Sequence, residues 1–385
     1  MTERKSFKVN NLLKKVVAGV AALTMCISVM PLSANAATTS SYKKGDVNGD
    51  GIVNSSDVLA LNNFLHGSVA SKDSAMTERL DVNSDYIIDI NDVALLKNIN
   101  LGTANGGTIS YKNTTNLPTQ ETRTYYKYNA STGAYKGQYT LNPVSNISIT
   151  SASTCSIIDE DERWAEDGLQ GVVSIKYESG ANNGTAFVVD SHTLVTAGHC
   201  LYRNSKGSSS KTFNNLQFKI FSDHDTQSSI NITPVEYQLS EKYVNSLGSN
   251  VNYDYAIITV KEDLSDYINF NLGVVRNELY TNDSYSKKLL FVTGFGCGTT
   301  MVGVNPELIG IKSTGDGFLL STPTAYRLYY DIDNVGGDSG APVYANVKGK
   351  QTVIGVHTRD TSNEEPYNKG MRFTTDILNL IYHHK

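Results

Sequence analysis

The chain has 385 residues, and its 33 Lys and Arg against 38 Asp and Glu give a formal net charge of −5 at pH 7. This mild acidity, with scattered bases, argues against a nucleic-acid-binding protein, because such proteins gather positive charge to neutralise phosphates. The sequence also contains no phosphate-binding glycine loop, haem-attachment motif or HExxH metal pair, so those classes of site are not expected.

Residues 1–36 are predicted to be a secretory signal peptide. The front of this segment is basic, a short apolar stretch runs from Val16 to Met30, and the small residues Ala34 and Ala36 form the cleavage pattern. The apolar stretch is too short for a comfortable membrane span, and no other segment is long and apolar enough. We therefore expect a secreted, extracellular protein without a transmembrane helix.

Two acidic loops follow at residues 46–57 and 81–92. In both, oxygen-bearing side chains occupy loop positions 1, 3, 5, 9 and 12, and a backbone carbonyl at position 7 completes a calcium shell. The predicted ligands are Asp46, Asn48, Asp50, Ile52, Asn54 and Asp57 in the first loop, and Asp81, Asn83, Asp85, Ile87, Asp89 and Asp92 in the second.

The two loops differ at the sixth position, where a sharp bend is needed. Gly51 permits that bend in the first loop, whereas Tyr86 replaces it in the second, so the second loop is expected to be strained. The alternative interpretation is two acidic turns that precede helices, but a tandem pair of such loops favours calcium binding.

Each loop runs into one amphipathic helical pattern, first at residues 58–65 and then at 93–99. In these features residues 37–105 resemble a small all-α type I dockerin with two EF-hand-like loops. The resemblance implies two structural Ca²⁺ ions and a cohesin domain of a scaffold protein, as in a cellulosome, as partner. It also implies that Ser55–Ser56 and Ile90–Asn91 face the cohesin. Because these pairs differ, docking in two interchangeable orientations is not expected.

Residues 106–155 are rich in Ser, Thr, Asn, Gly and Tyr and show no steady alternation of apolar residues. We interpret this stretch as a linker that doubles as a propeptide. Its tyrosines are expected to cover the active face before the chain is cleaved.

Two glycine-containing motifs carry the strongest chemical signal: Thr-Ala-Gly-His-Cys at residues 196–200 and Gly-Gly-Asp-Ser-Gly-Ala-Pro at residues 336–342. A serine hydroxyl needs a base within hydrogen-bond reach and donors for the oxyanion that it creates, and glycines leave backbone N–H groups accessible. Ser339 is the candidate nucleophile and His199 the candidate base. The alternative is a tight surface turn and a packed histidine.

Asp254 is the candidate acid that orients the histidine. It stands at the head of the apolar, β-branched run Tyr255–Ile258, which is typical of a buried strand. An acid in such a place needs a partner, because burying an unpaired carboxylate is unfavourable. Considered alone, Asp254 is better interpreted as an ordinary acid at a strand end, and only the order His199, Asp254, Ser339 favours the catalytic interpretation.

The order His199, Asp254, Ser339 resembles the chymotrypsin-like serine proteases over residues 156–385. Segments such as 252–255, 326–331 and 355–358 are closer to the bacterial glutamyl endopeptidase branch. The resemblance implies a mainly β fold with a double β-barrel. It also implies that His199 is the general base, Asp254 its orienting acid and Ser339 the nucleophile, with the N–H groups of Gly337 and Ser339 as oxyanion hole.

The same resemblance implies a substrate pocket that includes His357, Thr358, Asn334 and Ser156. A histidine that donates to an anion fits cleavage of proteins or peptides after Glu. Asp333 points to the alternative of basic or broad specificity, because trypsin-like enzymes carry an acid six residues before the nucleophile. The new amino terminus would be Ser156, so a zymogen cut near residue 155 or 156 is predicted.

Cys155, Cys200 and Cys297 remain after the signal peptide, including Cys26, has left. An odd count requires at least one free thiol or an intermolecular bond, so the fold cannot rest on a disulfide framework. Two alternative functions are a catalytically silent, scaffold-bound binding protein and a calcium-regulated regulator. The first predicts a missing triad member, and the second predicts a Met-rich groove; neither feature is present.

Overall fold

The computed structural model describes residues 39–68, 74–104, 106, 108–112, 122–141, 163–167, 169–179, 182–203, 211–222, 228–275, 289–297, 306–324, 326–347, 350–359 and 367–383. The predicted signal peptide and Ser156 lie outside the described residues. In the described part of the chain, no helix is long and apolar enough to cross a membrane.

The helical module, residues 39–112, contains both acidic loops. Its elements are β1 (Thr39–Lys43), α1 (Ser55–Leu65), α2 (Ser74–Leu80), β2 (Ile87–Ile88), α3 (Ile90–Asn100) and β3 (Thr108–Lys112). α1 and α3 each begin at a capping box, with Asn54 and Asp89 as N-caps and Asp57 and Asp92 returning to the N-cap backbone. The short helix α2 was not predicted, because seven residues carry too little periodicity to reveal a helix.

The rest of the described chain is mainly β-structure. Its elements are β4 (Arg123–Asn129), β5 (Tyr135–Leu141), β6 (Trp164–Ala165), β7 (Val172–Lys176), β8 (Asn182–Asp190), β9 (Thr193–Thr196), β10 (Tyr202–Arg203), β11 (Lys211–Thr212), β12 (Gln217–Phe221), β13 (Ser229–Ile232), β14 (Pro234–Ser240), α4 (Glu241–Asn245), β15 (Ala256–Val260), β16 (Asn271–Leu272), β17 (Val274–Val275), β18 (Leu289–Gly294), β19 (Ser313–Thr324), β20 (Arg327–Tyr330), β21 (Pro342–Val347), β22 (Lys350–Arg359), β23 (Asn368–Arg372) and α5 (Thr375–His383). We call residues 163–383 the β-rich domain.

A closed six-stranded barrel forms the C-terminal half of the β-rich domain. β22, β21, β18, β19, β20 and β23 pair in that order, and β23 pairs back to β22. Its interior is filled by branched apolar side chains such as Val292, Leu328, Val343 and Ile354, none more than 2% exposed. This barrel is the part of the expected double-barrel fold that the strand pairings close completely.

The other large sheet has nine strands in the order β13-β12-β7-β8-β9-β15-β14-β4-β5. Only Thr233 separates β13 from β14, so the chain itself joins the first strand of the sheet to its seventh. β13 and β14 are thus nearly continuous along the chain, and no pairing between them occurs among the described strands.

The tyrosine hairpin, residues 123–141, extends this sheet. β4 pairs antiparallel with β14 over the register Glu236↔Asn129 to Ser240↔Tyr125. Part of the stretch predicted as a linker and propeptide therefore forms two regular strands, which its sequence did not indicate. The hairpin escaped prediction because β5 faces solvent and the buried residues of β4, Arg123, Tyr125 and Tyr128, do not alternate regularly.

The helical module packs against the β-rich domain. Its short strand β2 pairs with β17, matching Ile88 with Val274 and Ile87 with Val275. The hydroxyl of Thr352 donates to Asp89 Oδ2 at 2.8 Å, and the Asn379 amide donates to the carbonyl of Gly67 at 2.6 Å. The module is thus joined through its second acidic loop and through the end of α1.

We predict unequal effects for alanine at two glycines of the helical module. Gly67 and Gly102 both have positive φ, of +66° and +72°, but a Cβ at Gly67 would collide with the backbone of Asn379, whereas Gly102 faces open space. Gly102→Ala should lower the free energy of unfolding by about 1 kcal/mol through backbone strain, and Gly67→Ala by about 3 kcal/mol or more. Urea unfolding of the full chain measures both. Equal losses would contradict the packing of α1 against α5.

Candidate active site

His199 and Asp254 form a buried pair. His199 lies in a 3₁₀ turn, Gly198–Cys200, that follows β9, and Asp254 follows the 3₁₀ turn Val251–Tyr253. His199 Nδ1 lies 2.8 Å from Asp254 Oδ2, and the backbone N–H of His199 donates to Oδ1, also at 2.8 Å. Asp254 is wholly buried and His199 is 7% exposed. With Nδ1–H directed to the carboxylate, Nε2 is the nitrogen left to accept a proton.

Neighbouring strands bring these two residues together. β9 and β15 are adjacent, with Thr196 opposite Ala256. His199 therefore leaves one strand at the same end where Asp254 enters the other. Each residue stands a few positions outside this pairing, so the sheet itself determines their separation.

The loop that carries Ser339 is fixed beside Cys200, the neighbour of His199. The carbonyl of Ser339 accepts hydrogen bonds from the backbone N–H of Thr185 at 2.8 Å and from Cys200 Sγ at 3.3 Å. The Ser339 residue is half-buried. The structure thus joins His199 to Asp254 directly and holds the backbone of Ser339 against the same turn.

The glycines beside Ser339 satisfy a steric requirement. Gly337 and Gly340 have φ of +109° and +90°, and a Cβ at Gly337 would approach the carbonyl of Phe295 to 2.5 Å. The carbonyl of Gly337 accepts from Thr185 Oγ1 at 2.9 Å. Within the described part of the chain, the N–H groups of Gly337 and Ser339 donate to no other protein group.

A second buried ion pair holds the residue before Ser339. Asp338 and Arg163 are 2% and 6% exposed, and Arg163 Nη1 lies 3.5 Å from Asp338 Oδ2. The same carboxylate oxygen accepts the N–H of Val335 at 2.8 Å, and Arg163 also donates to Ser313 Oγ at 3.3 Å. Sequence reasoning missed Arg163, because nothing in its local sequence indicates a partner far along the chain.

His357 lies on β22, directly against the loop of Ser339. Its backbone N–H donates to the carbonyl of Ala341 at 2.8 Å, and its carbonyl accepts from Gly340 at 2.7 Å. The ring is wholly buried, with Nδ1 2.7 Å from the hydroxyl of Tyr330. Burial, and then the charges of His199 and Arg327, lower the pKa of His357 to about 3. The imidazole is therefore neutral at pH 7.

Two other predicted pocket residues, Thr358 and Asn334, are also buried, and each makes a side-chain hydrogen bond within the protein. Thr358 Oγ1 accepts from Arg327 Nη1 at 3.2 Å, and Arg327 also donates to the carbonyl of Val251. Asn334 is 1% exposed, and its amide nitrogen donates to the carbonyl of Ile332 at 2.8 Å. This bond favours a structural role for Asn334 in the approach to the loop.

The two acidic loops of the helical module share one hydrogen-bond pattern. Asp46 accepts from the N–H groups of Gly49 and Gly51, and Asp57 accepts from those of Asn48 and Asn54. The second loop repeats this through Asp81, which accepts from Asp85 and Tyr86, and Asp92, which accepts from Asn83 and Asp89. The predicted strain at Tyr86 is confirmed, because its φ is +72°.

The buried carboxylates of these loops suit a hard cation. Asp57, Asp81, Asp89 and Asp92 are at most 1% exposed. Burial, together with the nearby charges of Asp81 and Asp89, raises the pKa of Asp92 to about 8. In the described residues no three His, Cys, Asp or Glu side chains form a metal-holding group by themselves. The loops instead combine Asp with Asn and backbone oxygens, which is the donor set that Ca²⁺ takes.

Two free thiols border the candidate site. Cys200 is buried and Cys297 is partly exposed, and neither forms a disulfide. This agrees with the prediction of at least one free thiol or an intermolecular bond, and Cys155 lies outside the described residues. The backbone N–H of Cys297 donates to the carbonyl of Gly336 at 2.6 Å, which fixes the start of the Ser339 loop.

Comparison with known proteins gives two family matches. Residues 44–101 match the dockerin type I domain, and residues 157–380, more than half of the chain, match the trypsin family. A glutamyl endopeptidase of Bacillus licheniformis is 25% identical over 219 residues, which are 54% of this chain and 61% of that protein. An extracellular metalloprotease of Bacillus subtilis is 28% identical over 274 residues, covering 65% and 75% of the two chains.

Among solved structures, a Glu endopeptidase in complex with MPD matches 60% of this chain and 99% of its own. Its sequence identity is 20% and the TM-score is 0.45.

We predict that His357 makes folding sensitive to acid. Its ordinary pKa of 6.5 falls to about 3 in the folded chain. Between pH 3 and 6.5 the unfolded chain therefore binds a proton that the folded chain does not, and stability is lost as pH falls. The expected loss is about 1.4 kcal/mol per pH unit at most. Urea unfolding from pH 4 to 7 should show that the free energy of unfolding falls less steeply toward acid pH for His357→Gln than for the exposed-histidine control His192→Gln. The same pH dependence in both variants would contradict the assignment of His357 as neutral in the folded chain.

Proposed function

The chain belongs to the trypsin family, and on that premise we propose that it is a secreted serine endopeptidase that cleaves after acidic residues, principally Glu. Its dockerin domain would attach it to a cohesin-bearing scaffold. The observation that carries the proposal is the meeting of distant segments. His199 is bonded twice to Asp254, and the Ser339 backbone is bonded to Cys200.

The mechanism follows from the roles of these groups. His199 removes the proton of Ser339 Oγ as that oxygen bonds to the substrate carbonyl carbon, and Asp254 holds the ring in the tautomer that leaves Nε2 free. The resulting oxyanion accepts from the N–H groups of Gly337 and Ser339. The protonated ring then gives its proton to the leaving amine as the C–N bond breaks. Water repeats the sequence to release the acyl group.

Arg163 supports the loop that carries this chemistry. Its buried contact with Asp338 fixes the residue between the two proposed oxyanion donors. The cation that pairs with Asp338 is the guanidinium of Arg163, which is present before any cleavage. The loop is therefore supported without the amine of a new amino terminus. The proposed cut near residue 155 or 156 would instead deliver the amine of Ser156 to the substrate pocket.

His357 supports the acidic specificity. If the Tyr330 hydroxyl donates to Nδ1, then Nε2 carries the hydrogen and donates to a substrate carboxylate. An approaching anion also favours the protonated ring, so binding of an acidic side chain draws a proton to His357. The second candidate is an enzyme of basic or broad specificity. It is supported by Asp333, a buried acid six residues before Ser339.

A peptide library with one variable P1 residue tests the function. We expect the activated enzyme to cleave best after Glu, and Ser339→Ala to lower kcat/KM by about 10⁴-fold or more. His357→Gln should lower kcat/KM for Glu peptides by about 100-fold, because a charge-assisted hydrogen bond is lost. The exposed-histidine control His192→Gln should retain wild-type values.

Several outcomes would contradict this assignment. Strong cleavage after Lys or Arg and none after Glu would overturn the role of His357. Peptidase activity that resists a serine-directed fluorophosphonate but disappears with a chelator would indicate a metal-dependent enzyme. A folded, cleaved chain whose Ser339 is not labelled by the fluorophosphonate would indicate a silent, scaffold-bound protein.

We propose that the cohesin-binding surface is the face formed by α1 of the first half and the C-terminal end of α3 of the second half. Ser55 and Ser56 are exposed, as are Leu59 at 59% and Leu101 at 75%. Ser55, Val58, Leu59, Asn62, Lys97, Asn100 and Leu101 line a cavity of about 400 Å³ between α1 and α3. The N-terminal end of α3 is less available, because β2 and Asp89 contact the β-rich domain.

Two surface variants test this placement against immobilised type I cohesins. Leu59→Arg should weaken binding by about 100-fold, because it puts a charge into the apolar cavity. Ile90→Arg, at a residue 46% exposed in the second half, should leave binding within about threefold. A larger loss for Ile90→Arg would reverse the placement. Excess chelator should abolish binding by removing the two Ca²⁺ ions, and undiminished binding would rule out their role.

A further inference from the structure

The tyrosine hairpin is built into the β-rich domain like an ordinary pair of strands. We propose that a chain cut between Leu141 and Arg163 stays one molecule, because the hairpin and the helical module remain bound to the β-rich domain. The interaction surface is the edge of β14 with its surroundings, and the partner is this chain's own N-terminal fragment. The proposal concerns assembly, so it stands or falls independently of peptidase specificity.

Backbone pairing supplies the first part of this surface. β4 lies antiparallel to β14 over five matched positions, and Ala130 N–H donates to the carbonyl of Val235 at 3.2 Å just beyond them. Without β4, the N–H and C=O groups along that side of β14 would form an open sheet edge. The hairpin therefore completes the sheet, and its removal would expose unpaired backbone groups.

A buried cation supplies the second part. Arg123, at the start of β4, is 4% exposed and lies 2.8 Å from Asp376 of α5. It also donates to the hydroxyl of Tyr255 at 3.2 Å, and its guanidinium lies 5.3 and 5.4 Å from the ring centres of Tyr253 and Tyr326. Departure of the hairpin would leave the carboxylate of Asp376 without this cation, and breaking a buried pair on one side is strongly unfavourable.

Side chains along the strands supply the third part. Lys127 and Lys136 lie 3.1 and 2.5 Å from the two carboxylate oxygens of Glu236 on β14. The hydroxyl of Tyr139 donates to Gln238 at 2.7 Å, and Tyr125, wholly buried, bonds to the hydroxyl of Tyr255 at 2.9 Å. The same hairpin thus contacts β14, α5 and the residue that follows Asp254.

A second attachment lies in the same N-terminal fragment. β2 pairs with β17, Thr352 bonds to Asp89, and Asn379 bonds to Gly67. Two attachments on one chain act together, since release of either leaves its partner at a high effective concentration. A maturation cut near residue 155 or 156 would then yield a two-chain enzyme that still carries its dockerin domain.

The experiment introduces a site for a sequence-specific protease between Leu141 and Arg163 of the full chain, in a Ser339→Ala background that prevents self-cleavage. After complete cutting at micromolar concentration, size exclusion and native mass spectrometry should show one species containing both fragments. The fragments should separate only in denaturant. Separate elution of the two fragments under native conditions would overturn the proposal.

Variants identify which contacts hold the fragments. In the cut protein, Arg123→Met should speed dissociation at least 100-fold, whereas Gln138→Ala, on the exposed outer strand, should match the parent. Equal rates for both variants would contradict the role of the hairpin. If uncut Arg123→Met does not fold, Glu236→Gln serves instead, with about tenfold faster dissociation expected and an unchanged rate as the contrary result.

Discussion

The burial of Asp254 is the constraint on which the site depends. A carboxylate with no solvent exposure is tolerated only when donors replace the lost water. His199 supplies two of them, one from its ring and one from its backbone. These bonds fix both the position and the rotation of the imidazole, so its Nε2 has one orientation. The pairing of β9 with β15 brings His199 and Asp254 close together. The need of the buried carboxylate for hydrogen-bond donors determines how the two side chains are oriented.

Buried pairs recur where distant segments meet. Arg163 joins the chain ahead of β6 to Asp338, and Arg123 joins the start of β4 to Asp376. Such pairs add little net stability over well-packed apolar residues, but removal of either partner is costly. They therefore act as alignment contacts. The first aligns the loop of Ser339, and the second aligns α5 with the segment that flanks Asp254.

The sequence predicted best where chemistry demands particular residue types. The contact of His199 with Asp254 and the strained Tyr86 belong to this class, whereas calcium binding by the acidic loops and the role of Ser339 stay predictions. The tyrosine hairpin and Arg163 could not be predicted, because their partners, β14 and Asp338, lie far along the chain. The local sequence pattern does not indicate such distant contacts. The closed six-stranded barrel followed from family resemblance, since no single strand indicates how a sheet closes.

The helical module divides its surface between two kinds of contact. The second acidic loop contains β2, which pairs with β17 of the β-rich domain. Asp89 of the same loop accepts a hydrogen bond from Thr352. Strand pairing and a buried hydrogen bond are specific and leave little freedom for rearrangement. The apolar residues Leu59 and Leu101 stay exposed on the other side, around the cavity between α1 and α3. Both halves therefore contact the β-rich domain, the second through β2 and Asp89 and the first through Gly67, while apolar side chains stay exposed around the cavity between α1 and α3.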